Sequence, residues 1–130
     1  MYTPPHARSV HAYTQHAAAS RVAAASPHEL IAMLFEGVEQ ALLAAHGALQ
    51  RGDVPAKAAA LSKAVRLLDE GLKAALDPQG GELTQRLDAL YDYCIRRLTE
   101  ANLRNDLAAI DEVRRLLHPV ADAWNQIRPQ

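Results

Sequence analysis

From residue 26 onward, apolar side chains recur every three or four positions along the chain. The first run is Leu30, Leu34, Val38, Leu42, Ala45 and Leu49, widened by Ile31 and Phe35. At 100° per residue these positions share one face, so the spacing predicts an amphipathic helix. Ser26, Pro27, His28 and Glu29 fit its N-cap, N1, N2 and N3, because the serine hydroxyl can take the N3 amide and proline sits where no N–H is needed. Gly52 suits its C-terminal cap, which places the first helix at about 27–50. Asp53 can cap a second helix with the stripe Ala58, Leu61, Val65, Leu68, Leu72 and Leu76. Asp77, Pro78, Gln79, Gly80 and Gly81 form a breaker cluster. A third stripe runs through Leu83, Leu87, Leu90, Cys94, Leu98 and Ala101, followed by a short connection at 102–105. Asn105 or Asp106 caps the fourth stripe, which runs through Leu107, Ile110, Val113, Leu117, Val120, Trp124 and Ile127. Pro119 lies inside that last pattern and removes one of its backbone bonds.

Four such helices joined by loops of about three to six residues favour antiparallel neighbours. The expected fold is therefore all-α, an antiparallel up-down four-helix bundle over residues 26–128. Residues 1–25 read differently. They carry Arg8 and Arg21 but no acid, and their large apolar residues are sparse. They are expected to form a weakly docked tail, with a short helix over 8–24.

Composition agrees with helices. Ala and Leu fill about a third of the 130 positions, and β-branched residues are few. The formal charge of −1 supplies no basic field for nucleic acid or an anionic membrane. A single cysteine excludes a disulfide framework. No run of 18 apolar residues spans a membrane, and the N-terminal alanine clusters, cut by Arg8, His11, His16 and Arg21, do not make a signal peptide. The expected location is the cytoplasm.

Catalytic and metal patterns fail on spacing. Di-iron bundles use Glu-x-x-His pairs, but the residues three before His28, His46 and His118 are Ala25, Leu43 and Arg115. His28 and Glu29 begin a metalloprotease-like motif that Ala32 ends. His6, His11 and His16 are five apart and fan out around a helix, so they read as solvated. Cys94, on a buried stripe, behaves as a small hydrophobe. Arg96–Arg97 and Arg114–Arg115 lack an aromatic platform. No cofactor, no metal and no enzymatic activity are expected.

What remains is an apolar surplus. Beside its main stripe the second helix repeats Ala60, Ala64, Leu67, Gly71 and Ala74. Small residues let another backbone approach, and glycine in a helix costs about 1 kcal/mol relative to alanine, which implies a packing reason at Gly71. Two readings stand: close packing with a neighbouring helix of the same bundle, or a groove that receives a partner's helix.

Five stretches in register then resemble one family. They are Ser-Pro-His-Glu-Leu-Ile-Ala-Met-Leu-Phe-Glu-Gly at 26–37, Gly-Gly-Glu-Leu at 80–83, Leu-Tyr-Asp-Tyr-Cys-Ile-Arg-Arg-Leu at 90–98, Glu-Ala-Asn-Leu-Arg-Asn-Asp at 100–106 and Ala-Asp-Ala-Trp at 121–124. The chain resembles the FliS family of flagellar export chaperones from about residue 26 to 128. The resemblance implies a helical bundle that binds the C-terminal region of flagellin in the cytoplasm, blocks premature polymerisation and brings it to the type III export apparatus. It also implies an N-terminal segment that covers the flagellin surface or docks to the membrane export gate, with Val10 and Tyr13 as its apolar clip. Candidate flagellin contacts are Ala60, Ala64, Leu67, Gly71 and Tyr93, with Tyr91 turned inward. Phe35 stands where the family often has Tyr, Cys94 where it often has Met, and Arg86 where Asn is common. The rival expectation is a dimeric helical scaffold whose second stripe is its self-association face.

Overall fold

The structure is a computed structural model that describes residues 20–127. The chain divides between Leu30 and Ile31 into two units. In the first, residues 20–24 are helical and exposed. Ser26 then caps the next helix: its Oγ accepts from the Glu29 amide at 3.1 Å and donates to the Glu29 carboxylate at 3.1 Å. The predicted cap is present, except that Glu29 reaches the serine hydroxyl and not the backbone. Residues 8–19 of the expected short helix lie outside the described residues.

The described residues are helical, with no strand among them. The helices are α1 (Pro27–Gln50), α2 (Val54–Arg66), a π-helix (Leu67–Lys73), α3 (Gly81–Arg104) and α4 (Leu107–Gln126). Their ends are set by local chemistry. Gly52 turns left-handed at φ 73°, and the Asp53 amide closes onto the Ala48 carbonyl at 2.8 Å. Asp53 then caps α2 by accepting from the Ala56 amide at 3.1 Å. Asp77 organises the break before α3, accepting from the Gln79 amide on its side chain and from the Gly80 amide on its carbonyl.

The connection expected at 102–105 is shorter than its sequence suggested. α3 continues to Arg104, and Asn105 alone reverses the chain at φ 53°, with the Asp106 amide bonding to the Ala101 carbonyl. Asparagine tolerates this left-handed geometry, so one residue suffices. Asp106 caps α4 through the Ala109 amide at 3.3 Å. α4 runs through Pro119 to Gln126.

The second helical run also departs from expectation, since it is not α throughout. Its inward positions Ala64, Leu68, Leu72 and Leu76 are each four apart. Four residues of α-helix rotate about 40° past a full turn, so three such steps would carry Leu76 off the core face. The wider winding at Leu67–Lys73 absorbs the excess: Leu68 and Leu72 stay buried, and Leu76 packs against the core.

The core of the second unit takes Phe35, Val38 and Leu42 from α1, Leu61 and Ala64 from α2, and Leu68 and Leu72 from the π-helix. α3 supplies Tyr91, Cys94 and Leu98, and α4 supplies Ile110, Val113 and Leu117. A buried leucine of this kind contributes about 1.5–3 kcal/mol. Leu83 and Ile127, at the ends of the third and fourth stripes, are exposed. Lys57 is the one buried charged residue among the described residues, and its Nζ donates to the Asn102 carbonyl at 2.8 Å. That carbonyl belongs to the last turn of α3, where no intrahelical amide reaches it.

Candidate functional site

The small-residue stripe of the second helical run faces α1. Ala64 is completely buried in the core, and Ala60 and Leu67 pack against it half-buried. A methyl placed at Gly71 would lie 2.8 Å from Leu34 Cδ2, and one placed at Gly37 would lie 3.1 Å from Leu67 Cδ1. The two helices therefore clasp reciprocally, Leu34 over Gly71 and Leu67 over Gly37. Of the two readings open at the sequence level, close packing within the chain describes Ala64 and Gly71 here. A bulky residue at either position has no free space to enter, since both places are already filled.

Tyr91 is buried, and burial pushes its hydroxyl up to about 12. Tyr93 is half-buried, and its hydroxyl donates to Glu112 Oε2 at 2.7 Å. Arg97 Nε donates to the other oxygen of Glu112 at 2.6 Å, and Arg97 Nη1 to Glu100 at 2.8 Å. The bond from Arg97, with a second from Tyr93, holds the Glu112 carboxyl below its usual range. The bond to Glu112 in turn raises the Tyr93 hydroxyl. Tyr93 is thus at the surface but tied to α4. Val10 and Tyr13 lie outside the described residues. Burial raises the Cys94 thiol from 9.0 to about 11, so it stays protonated at neutral pH.

Two of the grooves on the second unit are lined by described residues throughout. One, of about 580 Å³, is lined by Glu39 of α1 and by Asp111, Arg114, Arg115, His118 and Pro119 of α4. Its charges answer one another: Glu39 Oε1 accepts from Arg114 Nη2 at 2.9 Å, and Asp111 lies 3.0 Å from His46 Nδ1. The other, of about 300 Å³, lies between α2 and α3. Leu61, Val65 and Leu98 form its apolar lining, and Ser62, Thr99, Asn102 and Arg66 add polar groups. Neither groove was found from the sequence. The one available signal was Lys57, four before Leu61 on the buried stripe and so able to reach the end of α3 at Asn102.

No group of three or more candidate metal ligands occurs among the described residues, and no helix among them is long and apolar enough to cross a membrane.

The family described as "Flagellar protein FliS" matches residues 9–130. The chain belongs to the FliS family. It is 53% identical to the flagellar secretion chaperone FliS of Salmonella typhimurium, over 100% of this chain and 95% of that one. It is 44% identical to the FliS chaperone of Escherichia coli, over 92% and 89% of the two chains. Similarity reaches the Bacillus subtilis FliS chaperone, at 35% identity over 78% and 75%. Phe35 and Cys94 are both buried. Arg86 is exposed and pairs with Glu82 at 2.6 Å, one turn earlier on α3.

Proposed function

We propose that this FliS-family protein is a cytoplasmic export chaperone. It holds the disordered C-terminal region of flagellin, prevents premature polymerisation and delivers the client to the flagellar type III export apparatus. The observation that carries the reading is the family match along nearly the whole chain, residues 9–130. The physics is simple. Flagellin's terminal helices bury their apolar faces only in the filament, and a helical chaperone offers substitute apolar surface. A client that folds on binding spends several kcal/mol of the interaction on ordering, which keeps release possible without covalent chemistry. No nucleotide, metal or other cofactor enters.

The proposed architecture is the antiparallel up-down bundle over 26–128, preceded by a tail at 1–25. Cross-helix pairs support it, since partner numbers fall as positions rise: Glu39 with Arg114 but His46 with Asp111, and Lys57 with Asn102 but Lys73 with Asp92. Within this reading Ala60, Leu67 and Tyr93 are client contacts, and Ala64 and Gly71 set the packing beneath them. Val10 and Tyr13 serve self-capping or docking to the membrane export gate.

Co-purification with flagellin tests the reading. The protein should retain flagellin, and deleting flagellin's last helical segment should abolish retention. A concentration-independent dimer that ignores flagellin would instead make it a scaffold. A truncation lacking residues 1–20 should keep flagellin and lose the gate.

A further inference from the structure

α4 changes character at Pro119. Before it, Ala109, Ile110, Val113 and Leu117 are buried. Asp111 and Arg114 pair with His46 and Glu39 of α1, and Glu112 pairs with Arg97 of α3. After it, none of residues 120–126 is fully buried. Val120, Ala121 and Trp124 pack half-buried against the core. Asp122 is the one charged residue of this segment, and it accepts from Gln126 at 3.1 Å inside the segment itself. The helix ends where the Ile127 amide bonds to the Trp124 carbonyl at 3.2 Å. Between the two parts, proline brings no amide to the Arg115 carbonyl, and its ring crowds that carbonyl. Pro119 is also exposed, and the α1–α4 groove beside it leaves the joint room to bend.

We infer that residues 120–126 form a strap, hinged at Pro119, that opens as a unit while the rest of the chain stays folded. An opening cheaper than global unfolding needs few fully buried contacts and a weak joint, and both are present here. Proline disfavours a helix interior by about a hundredfold relative to alanine, so the packing of Val120, Ala121 and Trp124 is what carries α4 past it. In the antiparallel arrangement proposed above, the pairs Glu39–Arg114 and Arg97–Glu112 set the strap opposite Ile31 and Leu34 of α1 and Leu87 and Leu90 of α3. All four are apolar and half-buried, so opening uncovers apolar surface at one end of the bundle. Nothing in this opening requires flagellin.

Native-state hydrogen exchange of the full chain, read residue by residue by NMR, tests the strap. The amides of residues 121–126 should share one level of protection, on the order of a hundredfold below that of Ile110 and Val113, with the step at Pro119. A smooth gradient running from Gln126 past Leu117 is ordinary end fraying and overturns the hinge. Val120→Ala should lower protection of the strap about three- to tenfold and leave Val113 within about twofold. Pro119→Ala should raise protection of the strap on the order of tenfold or more and move Val113 less. If either variant shifts both sets of amides equally, α4 opens only with the whole fold and the strap is wrong. Trp124, the sole tryptophan, gives a second readout. Acrylamide should reach it at urea concentrations that leave the far-UV helix signal intact, and coincident transitions would overturn the inference as well.

Discussion

Gly71→Ala isolates the clasp between α1 and the π-helix. The added methyl would sit 2.8 Å from Leu34 Cδ2 and 3.3 Å from Leu34 Cδ1. Forcing a methyl into occupied space costs about 1–3 kcal/mol. Replacing glycine by alanine in a helix returns about 1 kcal/mol. Leu34 is only half-buried and can swing partly aside, so the net loss should lie within about 0–2 kcal/mol. In a Leu34→Ala background the obstruction is gone and only the helical gain remains. The same substitution should then stabilise by about 1 kcal/mol. The sign reversal is the distinctive result, because a generic helix-propensity effect has one sign in both backgrounds. Urea unfolding of the four proteins measures it, with the slope checked for constancy. A Gly71→Ala effect equal in the two backgrounds to within about 0.5 kcal/mol would refute the clasp.

Lys57→Met keeps the aliphatic stem but leaves the Asn102 carbonyl without its donor, and should cost about 1–3 kcal/mol in the same assay. Asp53→Ala and Asp106→Ala should each lose about 1 kcal/mol, and their effects should add because the two caps share no contact. Cys94 sets a high-pH limit. Its folded value is raised, so its stability is intact below the ordinary 9.0 and falls as pH rises toward about 11, where the unfolded thiol ionises first. Two pH units correspond to about 2–3 kcal/mol, so a Cys94→Ala protein should lose less stability than wild type between pH 9 and 11, read by denaturant midpoints.

Where a single residue type dictates one local geometry, the sequence could be read directly. Ser26, Gly52, Asp53 and Asp106 act at the helix ends where their chemistry pointed, and the apolar phases that bury Val38, Leu42, Leu98 and Val113 follow the 3.6-residue repeat. Two things escaped. The π winding did, because a four-residue spacing fits an α-helix over one or two steps and fails only over three. The fate of the small-residue stripe did, because Ala64 and Gly71 suit a neighbouring helix as well as a partner, and only Leu34 in place decides. The grooves belong to pairs of helices distant in the chain, so no one stretch announces them; Asn102 and Arg66 have ordinary solvated compositions around them.

The π-helix has a consequence for chain length. Between Leu67 and Lys73 the backbone carries slack, one position more than straight α winding would take up. Shortening the second helical run by one residue elsewhere would swing Leu72 and Leu76 about 100° off the interior. Removing one residue inside those seven would tighten the coil while leaving what lies on either side close to its present phase, which makes this short stretch the place where the chain tolerates a change of length.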